Sequence, residues 1–195
     1  NNFLDKNPYC EVAWHQLGKQ YYALKNYKKS LTSFDFAIIS DDTFVGAYLE
    51  KAKTSIDNCT ANESTMGMAK TWYWSGFIYQ AIADSKDEKL AALKPGALEQ
   101  ALKSYKKALE LDVKSNDYTQ EITDKMRNIA YNYMEQGITN FQEKKYEDAL
   151  KYYEKARSIN QGHLLATYNI GVIYNLFEEY SKAAEMCNKV LDLDE

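Results

Sequence analysis

Apolar residues recur three and four positions apart along most of the chain, the spacing that lines one face of an α-helix. The spacing predicts helices over 11–24, 27–40, 44–58, 69–84, 96–111, 117–142, 146–159, 164–176 and 180–193. Only 8 Gly and 2 Pro punctuate 195 residues, too few tight-turn residues for an all-β chain. The pattern reads as an all-α fold.

The helices come in repeated pairs. Placing Gly137 over Gly171 shifts the chain by 34 residues, and the same shift sets Tyr146 on Tyr180, Ala149 on Ala183, Tyr153 on Cys187 and Ala156 on Val190. The N-terminal segment carries Trp14, Leu17, Gly18 and Tyr21, then Tyr27, Ser30, Phe34 and Ala37. Another copy opens with Trp72, Ser75, Gly76 and Tyr79 and closes with Ala101, Tyr105 and Ala108. Gly18, Gly76, Gly137 and Gly171 fall mid-helix, where glycine costs about 1 kcal/mol against alanine. Their recurrence implies close helix crossings, with Ser30, Ala101, Ala149 and Ala183 as the small partners. A single pair cannot bury its apolar face, so stability comes from stacking neighbours.

This pattern resembles the tetratricopeptide repeat. The resemblance implies one domain: a right-handed superhelical array of antiparallel helix pairs, with copies at about 11–44, 69–112, 130–163 and 164–195. Two regions break the period. An irregular unit near 44–68 (45–68 between the copies) has one helix, with Ala52, Ile56 and Cys59 at a second-helix spacing, then the polar stretch CTANESTMG. A regular first helix is missing there. The second break is an insertion near 83–95: Tyr79 to Ala101 is 22 residues, against 9 from Tyr21 to Ser30. The insertion has room for a short helix before Pro95. After Asp112, the chain is expected to lengthen the next helix toward its N-terminus.

In the resembled family the first helices of the pairs line a concave groove. Carried over by position, this implies partner-facing side chains at Tyr22, Tyr73, Phe77, Tyr131, Met134, Phe141 and Tyr168. The function implied is a non-enzymatic scaffold that binds a peptide or helical segment of a partner protein in an aromatic-rich groove. Some members clamp a terminal carboxylate with Lys and Asn at two groove positions. His15 and Lys19 occupy them in the first copy, which disfavours that chemistry. Three alternatives stand beside this reading. The chain's own segments fill the groove, the module forms a homodimer, or an aromatic pocket senses a small molecule. The homodimer draws on a chain that stops at Asp194-Glu195 with no polar capping helix.

Charge narrows the partner. With 24 basic and 28 acidic side chains the net charge is −4, which argues against nucleic acid. No apolar run reaches the roughly 18 residues that span a bilayer, and the opening NNFLDKNPYC lacks a secretion signal's basic start and apolar stretch. Cys10, Cys59 and Cys187 have no metal-like spacing and cannot all pair among themselves. A soluble, reducing, cytoplasmic setting is expected, with Cys187 packed inward as a small hydrophobe. No phosphate loop, nucleophile elbow or metal cluster is legible, and His15 and His163 read as structural or solvated. No catalytic residue, metal or cofactor is therefore expected. Two glycosylation sequons, at Asn58 and Asn62, read as chance matches.

Overall fold

The computed structural model describes residues 3–86, 88–113, 115–160 and 163–194. Its α-helices are α1 (Glu11–Ala23), α2 (Tyr27–Ser40), α3 (Val45–Ala61), α4 (Ala69–Asp84), α5 (Ala97–Leu111), α6 (Thr119–Gln142), α7 (Tyr146–Ile159), α8 (Leu164–Leu176) and α9 (Tyr180–Asp194). No strand occurs among the described residues. The helices group into two compact units, Asn1–Gln120 and Glu121–Glu195.

Three hairpins share one turn. Between α1 and α2, α6 and α7, and α8 and α9, a residue in the left-handed region stands just past the first helix: Lys25 (φ 56°), Lys144 (φ 60°) and Glu178 (φ 60°). The amide after it reaches back to the last turn, Asn26 to Tyr21, Lys145 to Asn140 and Glu179 to Tyr174, each at 2.9 Å. This hydrogen bond satisfies a carbonyl that the helix end leaves orphaned and reverses the chain within three residues. The α4–α5 pair is joined differently. A 3₁₀ turn over Glu88–Leu93 fills the insertion and plants Leu90 in the core at 1% exposure. Pro95 lies in the following turn rather than in a helix.

The crossing glycines each face a bulky second-helix side chain. A Cβ on Gly18 would stand 2.6 Å from the Phe34 ring, on Gly76 2.4 Å from Tyr105, and on Gly137 2.4 Å from Tyr153. Those rings are buried, so they have nowhere to swing. Ser30 donates its hydroxyl to the Gly18 carbonyl at 2.9 Å, and Ser75 and Ser104 pair at 2.9 Å in the other N-terminal hairpin. In the last hairpin the neighbour is Met186, whose Cβ lies 3.2 Å from a Cβ built on Gly171. The 34-residue register had placed Cys187 there and packed it inward. In the structure Ala183 keeps that register and is buried, but Met186 rather than Cys187 fills the crossing, and Cys187 is exposed.

The irregular unit also differs from expectation. Its helix runs on to Ala61, and it packs against both α2 and α4 with Ala47, Glu50 and Thr54 inward. One helix thus spans the space where the repeat calls for a pair.

Gly137 and Gly171 share a unit, so one unfolding transition compares them. Alanine gains about 1 kcal/mol of helix propensity, against an overpacking cost of about 1–3 kcal/mol where the neighbour cannot yield. Gly137→Ala is expected to lose about 1–2 kcal/mol in urea unfolding, and Gly171→Ala less than about 0.5 kcal/mol. Equal losses at the two positions would contradict the packing difference.

Candidate partner-binding surface

α1 presents His15, Lys19 and Tyr22 on one stripe, and α3 answers with Glu50, Lys53 and Asp57. The Glu50 carboxylate lies 3.5 Å from His15 Nε2 and 3.6 Å from Lys19 Nζ, with Glu50 only 8% exposed. Two helical turns on, Asp57 accepts the hydroxyl hydrogens of Tyr22 at 2.6 Å and of Tyr79 in α4 at 2.7 Å. It also takes the Lys53 ammonium at 2.9 Å. That ammonium donates to the Tyr22 hydroxyl as well, and sits 3.9 Å from the centre of the Tyr22 ring. Burial first, then the hydrogen bond to Asp57, pushes both phenols well above the usual tyrosine range. They stay protonated donors at neutral pH. Tyr22 is thus one jaw of a closed polar clasp joining α1, α3 and α4, not a side chain offered to a groove.

Tyr73 also turns inward. At 6% exposure its ring stacks on Tyr118, centroids 4.7 Å apart. The Tyr118 backbone N–H donates to buried Asp112 at 2.8 Å. Asp112 also accepts from Ser115 Oγ at 2.6 Å and Thr119 Oγ1 at 3.1 Å. These hydrogen bonds, the Ser115 one foremost, hold its carboxyl below the usual carboxylate range. Phe77 is exposed, and its ring meets that of Trp74 edge to face at 5.5 Å. Trp74, exposed beside Phe77, was not in the predicted set. Its spacing of three from Phe77 on one helix was the available signal.

In the C-terminal unit Met134 is 3% exposed and belongs to the core. Phe141 is half-buried, edge to face with Tyr146 at 5.3 Å. Tyr131 on α6 and Tyr168 on α8 are more than half exposed, at 55% and 53%. Ile138, Leu165 and Leu176 on the same two helices are exposed too. His163 lies against Tyr131, rings 5.7 Å apart, and caps α8 by accepting the Ala166 N–H at its Nδ1, 3.4 Å away. Burial pulls the His163 pKa below the usual histidine value. Of the seven predicted groove residues, Tyr131, Tyr168 and Phe77 are exposed, Phe141 is half-buried, and Tyr22, Tyr73 and Met134 serve the interior.

Residues 130–163 match the sequence model of the tetratricopeptide repeat. They hold the Gly137–Tyr153 crossing, which recurs at Gly18–Phe34 and Gly76–Tyr105. That segment is a tetratricopeptide repeat. Among solved structures the chain is similar to a MamA protein, at 17% identity over 94% of this chain and 91% of that chain, TM-score 0.32. It is similar to YrrB, described as a tetratricopeptide-repeat protein with an unusual peptide-binding site, at 20% identity over 98% and 90%, TM-score 0.37. A third is a thermophilic tetratricopeptide-repeat protein of Thermus thermophilus, at 18% identity over 94% and 91%, TM-score 0.31. No curated protein sequence matches the chain.

The clasp makes Asp57 the costliest single side chain to lose from the α1–α3 contact. Asp57→Ala strands two phenols and an ammonium, and is expected to lower stability by about 3–5 kcal/mol. Tyr79→Phe removes one bond to a charged acceptor and should cost about 1.5–3 kcal/mol. Chemical denaturation followed by tyrosine fluorescence checks the order, and a milder loss for Asp57→Ala would break up the clasp.

His163 gives the C-terminal unit a pH slope. A histidine whose folded pKa lies below its unfolded value binds its proton more readily when unfolded. Its contribution is therefore present above the unfolded value of about 6.5 and is lost as pH falls from there toward the folded pKa. His163→Asn keeps a capping side chain without a titrating ring and is expected to flatten that slope. Thermal melts between about pH 5 and 8 measure it, and an unchanged slope would remove His163 as its source.

Proposed function

We infer that this chain acts as tetratricopeptide repeats generally do, as a non-enzymatic protein-interaction scaffold. Among the described residues no helix is long and apolar enough to cross a membrane. We propose that this chain is a non-enzymatic scaffold that holds a peptide or helical segment of a partner protein against α6 and α8. The observation that carries this reading is the exposure of Tyr131 and Tyr168 beside Ile138, Leu165 and Leu176. Exposed apolar side chains on two helices of one unit are what an interaction site needs, since a monomer seldom leaves such side chains grouped in water without a use. Tyrosine suits such a site because it gives a large, rigid contact area at low entropic cost and keeps a polar tip.

A second reading is self-association through α9, which leaves Tyr180, Cys187, Leu191 and Leu193 exposed. Sedimentation at increasing concentration separates the two, because a peptide scaffold stays monomeric.

Peptides selected on the wild-type chain from a displayed random library supply a probe. Tyr131→Ala with Tyr168→Ala is expected to weaken the selected peptides by about 2 kcal/mol or more, roughly 30-fold, while the unfolding midpoint stays near wild type. Wild-type affinity in the folded double variant would move the binding face off α6 and α8.

A further inference from the structure

Both N-terminal hairpins carry a tryptophan four residues before the crossing glycine, and both indoles are tethered alike. Trp14 Nε1 donates to the Pro8 carbonyl at 2.8 Å and Trp72 Nε1 to the Met66 carbonyl at 2.6 Å, each six residues back. What lies over each indole differs. Two residues after the crossing aromatic Phe34 comes Phe36, whose ring stacks on Trp14 with centroids 4.5 Å apart and planes at 25°. Two residues after the matching Tyr105 comes Lys107, which turns to Glu110 at 2.8 Å. Among the described residues no ring stacks on Trp72.

The place that Phe36 fills in one hairpin is a cleft of about 580 Å³ in the other. Trp72 and Leu102 line it together with Lys103, Lys106 and Lys107, while Glu99 and Glu110 complete the wall. Glu110 neutralises Lys107, whereas no carboxylate of the described residues pairs with Lys103 or Lys106. In a chain of net charge −4 this is a local excess of positive charge beside a half-buried indole with no ring stacked on it among the described residues.

We propose that the Trp72 cleft docks an acidic segment of a partner protein that carries an aromatic anchor. The anchor's ring stacks on Trp72 as Phe36 stacks on Trp14, and flanking carboxylates meet Lys103 and Lys106. The internal copy supplies the shape argument, since the fold already seats a phenyl ring on the equivalent tryptophan, Trp14. The unpaired lysines supply the charge argument, favouring an acidic partner and rejecting a basic one. Two unpaired lysines between two glutamates are a poor match for a phosphate backbone, which rewards many cations in a row. The surface uses residues of α4 and α5 alone, so it stands or falls apart from the α6–α8 reading.

The test uses the full chain and two fluorescein-labelled probes, acetyl-Asp-Glu-Phe-Asp-Glu-amide and its alanine analogue, followed by fluorescence polarisation. The phenylalanine peptide is expected to bind at least about tenfold more tightly than the analogue and to shift the Trp72 indole resonance. Lys103→Glu with Lys106→Glu, both on the helix surface, is expected to weaken it by about tenfold or more. Lys107→Phe places the counterpart of Phe36 over Trp72 and should close the cleft, with at least about a tenfold loss of affinity and an undiminished melting temperature. The proposal is overturned by equal affinity for the two probes, by no binding up to about 1 mM, or by wild-type affinity in Lys107→Phe. A wild-type chain that self-associates and turns monomeric with Lys107→Phe would also overturn it, by making a second copy the occupant.

Discussion

The close crossing of paired helices at a glycine is the constraint on which the rest of this structure hangs. With no Cβ on Gly18, Gly76 or Gly137, an aromatic ring of the second helix can lie against the backbone of the first. A glycine inside a helix is unfavourable by itself, and only contact with a fully buried ring repays the loss. The ring sets the spacing of the pair. Small side chains such as Ser30 and Ala149 then fit beside it, and the reversal at Lys25 or Lys144 can be completed in three residues. In the last hairpin a methionine takes the place of the ring. Met186 makes a looser contact at Gly171.

The helix boundaries were legible because an apolar period of 3.6 broken by polar turns is a local signal. The turns were less so, since the left-handed positions are held by Lys25, Lys144 and Glu178 rather than by glycine, and nothing in those side chains announces a positive φ. The groove residues fared unevenly for a physical reason. Position within a repeat tells which way a side chain points from its own pair, but burial depends on what arrives from elsewhere. Tyr73 is covered by Tyr118, from the segment that precedes α6, and Tyr22 by Asp57, from a helix that breaks the repeat. Both coverings come from irregular parts of the chain. Cys187 missed for another reason: neighbouring Met186 fills the crossing, and on a helix one residue is 100° of rotation, enough to exchange inside for outside.

The clasp at Asp57 explains how an irregular helix can hold its place without a pairing partner. α3 turns one large apolar residue inward, Ile56, beside the small or polar Gly46, Ala47, Glu50 and Thr54. Apolar packing that thin is non-directional and would tolerate a shift along the axis. A carboxylate receiving two phenols and an ammonium does not tolerate it, because a displacement of one turn leaves buried polar groups unmet. The polar contact therefore supplies register where the apolar contact supplies only adhesion. The same satisfaction closes this surface to outsiders, since a ligand would have to break the network before gaining a contact.

Surfaces open to a partner should then lie where equivalent positions of the repeat are filled differently. Trp14 and Trp72 are held by the same tether and differ in one covering residue, Phe36 against Lys107. A phenyl ring in that place completes the local packing and leaves nothing to recognise. A lysine drawn away by Glu110 leaves an indole with no ring stacked on it among the described residues and charge at its edge, which is a specification for a ligand. In a repeat chain the scaffold is common to all copies, so recognition resides in such departures between copies.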